Sequence, residues 1–162
     1  MSKRVIVGID PGPLTSGLVV YEDGRVVRAY KAATIEQVRF EIHALTGRFG
    51  AEVVVECTSA GPPSTSVVQT TEVVGRILER CDVALVRSHS YYRREVLQAL
   101  CCARKGNKDS LVRLACIELH GGDKRAAVGT KKNPGPLYGV TSHAWQALGV
   151  VMAHITNRTQ TT

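Results

Sequence analysis

The chain has 162 residues, with 21 Lys and Arg against 14 Asp and Glu, for a formal net charge of +7. That length suits one domain spanning 1–162, which would bury roughly 70% of its extended-chain surface and needs no disulfide or metal staple. No apolar run approaches the roughly 18 residues of a membrane span, and no basic-then-apolar leader opens the chain, so the expectation is a cytoplasmic protein without a membrane partner.

In chain order, residues 4–9 form a short apolar run, 16–21 another and 25–31 a third. Glu22-Asp23-Gly24 is a turn signal between the last two, which predicts a hairpin. Thr34 is placed to cap a helix to about residue 48, with Ile35, Val38, Ile42 and Leu45 on one face. Residues 52–56 are a fourth strand, nearly all valine, as suits a strand buried on both faces. A Gly/Pro/Ser loop over 57–64 leads to a helix over 65–80. The apolar residues at 83–86 predict a fifth strand over 82–87, and residues 91–100 and 108–119 read as helices. Residues 121–139 are polar and rich in Gly, Lys and Pro, and read as a mobile surface segment. A last helix over 141–157 carries Ala144, Ala147, Leu148, Val151 and Ile155 as a core stripe. This order predicts an α/β fold: a five-stranded mixed sheet, antiparallel through its first three strands and then parallel, with helices on both faces.

Asp10 follows the first strand and Glu56 closes the fourth. Open α/β sheets place ligands at this carboxyl edge. If the two strands are parallel neighbours, their backbones run roughly 5 Å apart. The carboxylates are then able to bridge divalent ions about 4 Å apart. Either acid alone is more often simply a solvated strand end. Gly12 and Gly17 flank the turn behind Asp10. An Asp-Gly turn of this kind also occurs in actin-like ATPases, which need two large lobes that 162 residues do not supply.

His143 falls at the start of the last helix, where the helix dipole disfavours a protonated ring and so favours the form that binds metal or accepts a proton. Gln146 lies one turn on. A half-exposed histidine without a ligand is the plain alternative. Trp145 reads as core.

The positive charge favours an anionic partner such as nucleic acid, although a solvated basic face accounts for it equally well. Its carriers recur in segments 87–94, 104–113 and 124–132. Arg104, Lys105 and Lys108 surround a helix start suited to phosphate, and Lys131 and Lys132 extend the basic surface, with Tyr138 as a stacking group. Five cysteines, an odd number without a CxxC pair, indicate neither a disulfide framework nor a zinc site.

Ile9-Asp10-Pro11-Gly12 with Gly17, Glu56 after its valine strand, and Ser142-His143-Ala144-Trp145-Gln146-Ala147-Leu148 together resemble RuvC-type Holliday junction resolvases of the RNase H-like superfamily. The stretch 134–139 is similar to phage-encoded members. The resemblance implies a homodimeric endodeoxyribonuclease that nicks two opposed strands of a four-way DNA junction with Mg²⁺ or Mn²⁺, two ions per site. It implies that Asp10, Glu56 and His143 are catalytic metal-site residues, with Gln146 at the fourth ligand position. An amide there departs from the acid usual in the family and weakens that position, unless Asp109 supplies the charge. The loop after Glu56 offers only Pro62 and Pro63 where some members carry an aromatic wedge. A non-catalytic junction binder, and a nuclease for other branched DNA or for RNA, stand as alternatives. The helix after Glu56 carries Val67, Val68, Val73, Val74, Ile77 and Leu78, enough apolar surface for core packing with some left for pairing.

Overall fold

The computed structural model of the chain describes residues 4–58, 62, 64–100 and 106–160. Strands β1 (Val5–Asp10), β2 (Ser16–Glu22) and β3 (Arg25–Ala33) run antiparallel. Asp23 and Gly24 join the last two with φ of 48° and 85°. Both central residues are left-handed, as a two-residue hairpin turn with the right twist requires. Strands β4 (Glu52–Cys57) and β5 (Arg87–Tyr92) add in parallel beyond β1, giving the order β3-β2-β1-β4-β5.

The pleat sorts the strand residues between two cores. Val5, Val7, Ile9, Val53 and Val55 pack beneath α1 (Ile35–His43) and α2 (Thr65–Val83). Ile6 and Val54 face the other way, onto α3 (Arg93–Leu100), α4 (Lys108–Glu118) and α6 (Ala144–Gln160). Thr34 caps α1 through a reciprocal box with Gln37, as its sequence signals. That helix stops at His43, short of residue 48, and turns carry the chain onward.

Helix α6 is the central element, with Ala144, Ala147, Leu148, Val150, Val151 and Ala153 all buried. It approaches β1 over Gly8, where an added Cβ would lie 2.4 Å from the Ala147 carbonyl oxygen. Glycine here permits backbone-to-backbone contact that brings the helix start down onto the sheet edge.

The fifth strand is displaced from its expected place. The apolar residues at 83–86 end a helix instead of starting a strand. Leu85 is left-handed (φ 53°), its N–H bonds to the Asp82 carbonyl, and the Val86 N–H reaches the Cys81 carbonyl. This is a Schellman closure of α2. The strand that follows is the polar run Arg-Ser-His-Ser-Tyr-Tyr. It draws its order from pairing with β4, since it lies at the sheet edge.

The segment 121–139 is also folded, contrary to the mobile reading. It holds α5 (Lys124–Ala127), capped by Asp123, and a bridge between Gly129 and Pro134. The Val26 N–H donates to the Pro136 carbonyl at 2.7 Å, and Leu137 is fully buried. Two buried apolar residues, Ala127 and Leu137, and one hydrogen bond to β3 thus hold a polar sequence in place.

Candidate active site

Parallel pairing of Ile9 with Val55 puts the next residues, Asp10 and Glu56, side by side at the carboxyl edge of the sheet. Strand alternation turns both toward α6. His143 immediately precedes that helix, and its carbonyl accepts from the Ala147 N–H. Its ring stands with Nδ1 3.6 Å from the Asp10 Oδ2, and its side chain is 72% exposed. Gly17 makes this approach possible. A Cβ there would lie 2.3 Å from the His143 carbonyl oxygen, so only glycine lets β2 pass beneath the helix start. The expected reason was a sharp turn behind Asp10; the observed one is close packing. Ser142, just before His143, adopts a left-handed φ of 49°, a conformation uncommon outside glycine.

Gln146, one turn into α6, is buried and accepts a 2.6 Å hydrogen bond from an Arg93 Nη1. The same nitrogen reaches both Glu56 oxygens at 3.3 and 3.1 Å, and Nη2 pairs with Asp109 at the start of α4. One guanidinium therefore ties together β4, α4 and α6. The sequence reading missed Arg93. The signal was present: with β5 at Arg87–Tyr92, Tyr91 pairs with Glu56, and Arg93 emerges at the same sheet edge as the acids. Placing that strand five residues early hid it.

Burial raises the Asp10 pKa to about 6, against the pull of Arg93 and with a further push from Asp109. Glu56 rises to about 7, again chiefly by burial, with Arg93 lowering and Asp10 raising it. Two largely desolvated carboxylates, with Asp10 further disfavouring the charge of Glu56, form a site short of positive charge. Adding the neighbouring imidazole gives two hard oxygen donors and one nitrogen donor. This set fits a divalent ion such as Mg²⁺ or Mn²⁺.

Two hollows open around these residues. One, about 270 Å³, is lined by Asp10, Glu56, Thr58 and Arg93 itself. The other, about 460 Å³, lies between α4 and the start of α6 and is lined by Asp109, Ser110, Arg113, His143 and Gln146. Trp145 is buried as expected, yet it also lines this second hollow beneath the Arg113 guanidinium, 5.2 Å from its ring centroid. Of the expected DNA contacts, Lys108 is exposed at the start of α4, beside its cap Asn107. Lys131 and Lys132 are exposed between α5 and α6, and Tyr138 is 42% exposed. Arg104, Lys105 and Pro63 lie outside the described residues.

At the opposite sheet edge a second grouping brings Glu52, His89 and His154 within metal-ligand reach of one another. Arg4 and Arg158 also bond the Glu52 carboxylate, at 3.1 and 2.7 Å, and Arg87 stands 3.5 Å away. His154, almost fully buried, bonds it through Nε2 while its Nδ1 meets the Tyr91 hydroxyl. Burial alone would raise the Glu52 pKa, but the His154 hydrogen bond, Arg4 and Arg158 outweigh it and hold it down at about 2. Three guanidinium groups on one carboxylate repel a further cation, and this cluster is an ion-pair hub.

The five-stranded order, the two acids on adjacent parallel strands and the covering helix match the RNase H-like fold. Known protein families and curated proteins yield no sequence match to the chain. Among solved structures, it is similar to Thermus thermophilus RuvC in complex with a Holliday junction substrate, with a TM-score of 0.70 and 20% identity over 98% of this chain and 97% of that one. A second Thermus thermophilus RuvC structure aligns with a TM-score of 0.68 and 21% identity, over 98% and 97%. The chain shares the fold of these structures over 98% of its length. Among the described residues no helix is long and apolar enough to cross a membrane.

Proposed function

We propose that this chain is a single-domain, divalent-metal-dependent endonuclease that resolves four-way DNA junctions by paired nicking. The observation that carries the reading is the juxtaposition of Asp10 and Glu56 beneath His143, in a fold shared with a RuvC whose solved complex holds a Holliday junction. Asp10 and Glu56 would hold the ion, with Gln146 beside them and the His143 ring at the edge of the site as the proton acceptor. When bound, the ion lowers the pKa of its water and offsets charge on the phosphate. The exposed His143 ring is accessible to solvent and suited to take the proton that the attacking water loses. Burial of Asp10 and Glu56 keeps competing water from their charge and strengthens their hold on a cation. Lys108, Lys131 and Lys132, with Arg104 and Lys105, would contact phosphates, and Tyr138 would stack on an unpaired base. Val68, exposed on α2, and the half-buried Val73 and Leu78 leave apolar surface on that helix, which supports pairing of two copies through it. Such a dimer would match the two-fold symmetry of a junction.

The deciding experiment incubates the protein with a synthetic four-way junction and either Mg²⁺ or Mn²⁺, beside duplex, flap and RNA substrates. Symmetric nicks in the junction alone are expected, from a species that sediments as a dimer. Cleavage of other branched DNA or of RNA in preference would move the substrate assignment. The link between Arg93, Glu56 and Gln146 favours one second reading, a binder whose metal site is filled by its own arginine. That protein would bind the junction and never nick it.

A further inference from the structure

We propose that Arg93 is a catalytic residue, whose guanidinium supplies the charge that a second divalent ion would otherwise bring, so that the site works with one ion. This rests on the nuclease reading above and replaces the two ions expected from sequence.

The first argument is charge. Asp10, Glu56 and Asp109 surround the site, and among the described residues Arg93 is the cation in contact with two of them. Three carboxylates less one guanidinium leave a formal charge of minus two, which one divalent ion neutralises. A second ion would enter a site already balanced, against the repulsion of a guanidinium that is always protonated.

The second argument is geometry. Glu56, Gln146 and Asp109 come from three different elements and fix the guanidinium from three directions. They use three of its five N–H groups, and among the described residues two are left for phosphate oxygens. Arg93 lines the same hollow as Asp10 and Glu56, the space where a phosphate would meet those acids. Gln146 has a clear part in this arrangement. As a neutral acceptor at 2.6 Å it orients the guanidinium without adding a third negative charge to those of Glu56 and Asp109. The amide that weakens an ion site is the appropriate partner for an arginine.

In the reaction, the oxygen of water bonds to phosphorus. The bond from phosphorus to one bridging ester oxygen breaks, and its electron pair stays on that oxygen. The proton lost by water passes to His143, and the leaving oxygen takes a proton from solvent. Arg93 exchanges no proton. It donates hydrogen bonds to the phosphate as negative charge grows there, the role in which a fixed donor contributes most.

The test counts ions and measures cleavage in the same full-length protein. Titration of the metal-free wild type with Mn²⁺, followed by calorimetry and by electron paramagnetic resonance, is expected to give one tight ion per chain and no spin-coupled pair. The double variant Arg93→Gln/Gln146→Asp is expected to take up two. Arg93→Ala should bind one ion, keep its affinity for the junction and cleave on the order of 10²–10³-fold more slowly. Added guanidinium or methylguanidinium ion should restore part of that rate, which it would not do for a residue that only braces the fold. A wild type that holds two coupled ions, or an Arg93→Ala protein that folds and cleaves at the wild-type rate, overturns the proposal and leaves the nuclease reading standing. Should the variants fail to fold, the wild-type ion count decides it alone. A wild type that cleaves no nucleic acid with either metal sinks both.

Discussion

Strand β4 carries two glutamates four residues apart, on the same face and beneath the same helix, and they have opposite fates. Glu52, at the strand start, is met by the carboxyl end of α6 with His154 and Arg158, and by Arg4 from the chain start. Its pKa is held down at about 2. Glu56 lies under the amino end of α6, shares Arg93 with Asp109 and stands beside Asp10, and its pKa climbs to about 7. One edge of the sheet has its charge satisfied and fastens the helix down; the other is left short of positive charge and open to hollows. The lesson is that burial of an acid is not itself a functional signal. What separates a brace from a site is whether the fold supplies enough partners.

Substitutions at the two edges should therefore separate activity from stability. The largest effect expected is on cleavage: Asp10→Asn should lower the junction-nicking rate by on the order of 10³-fold while preserving junction affinity and without lowering the melting temperature. A variant nicking at the wild-type rate would remove the active-site assignment. Next, Glu52→Ala should cost about 3 kcal/mol in denaturant unfolding, because it strands three guanidinium groups and a buried imidazole. Its nicking rate per folded molecule should stay at the wild-type level, and a loss of ion binding in that variant would mean the two edges had been assigned the wrong way round.

The pH dependence sharpens the contrast, because the signs differ. Asp10 and Glu56 have folded values of about 6 and 7, above their unfolded 3.8 and 4.5. The folded, metal-free protein thus binds more protons than the unfolded chain over this interval, and these two groups lose it stability as pH rises from about 4 to 7. Glu52 is depressed from 4.5 to about 2. Its contribution is present above pH 4.5 and is lost as pH falls through 2. Unfolding of the metal-free protein should show a fall in stability toward pH 7 that Glu56→Gln reduces and that added Mn²⁺ reverses, more strongly at pH 8 than at pH 5. A flat profile between pH 4 and 7 would contradict the strained state of the site. The smallest effect expected is at Lys131 and Lys132. Replacing either with Ala should weaken junction binding uniformly across sequences and reduce the salt slope by about 1, if each meets one phosphate.

Much of this architecture is written locally. Apolar runs bounded by turn residues set the first four strands, Asp23-Gly24 closes the hairpin with two left-handed residues, and Thr34 with Gln37 starts α1. These depend on neighbours a few positions away. Asp10 and Glu56 are legible for the same reason, since each is an acid at the end of an apolar strand, and the sheet order then makes them adjacent. The apolar residues at 83–86 misled because a helix end and a strand start look alike in hydropathy, and the left-handed Leu85 decides between them.

The rest was settled only when distant parts met. Arg93 is one of several arginines in a basic segment until β5 pairs with β4 and α4 and α6 bring Asp109 and Gln146 to it. Glu52 reads as an ordinary strand residue until arginines from positions 4, 87 and 158 surround it. Gly17 matters through a contact 126 positions along the chain, with His143. Local pattern encodes backbone preference and apolar periodicity, which are properties of a few consecutive residues. The charge an acid ends up facing is a property of the assembled sheet and helices, because electrostatic partners are chosen by distance in space.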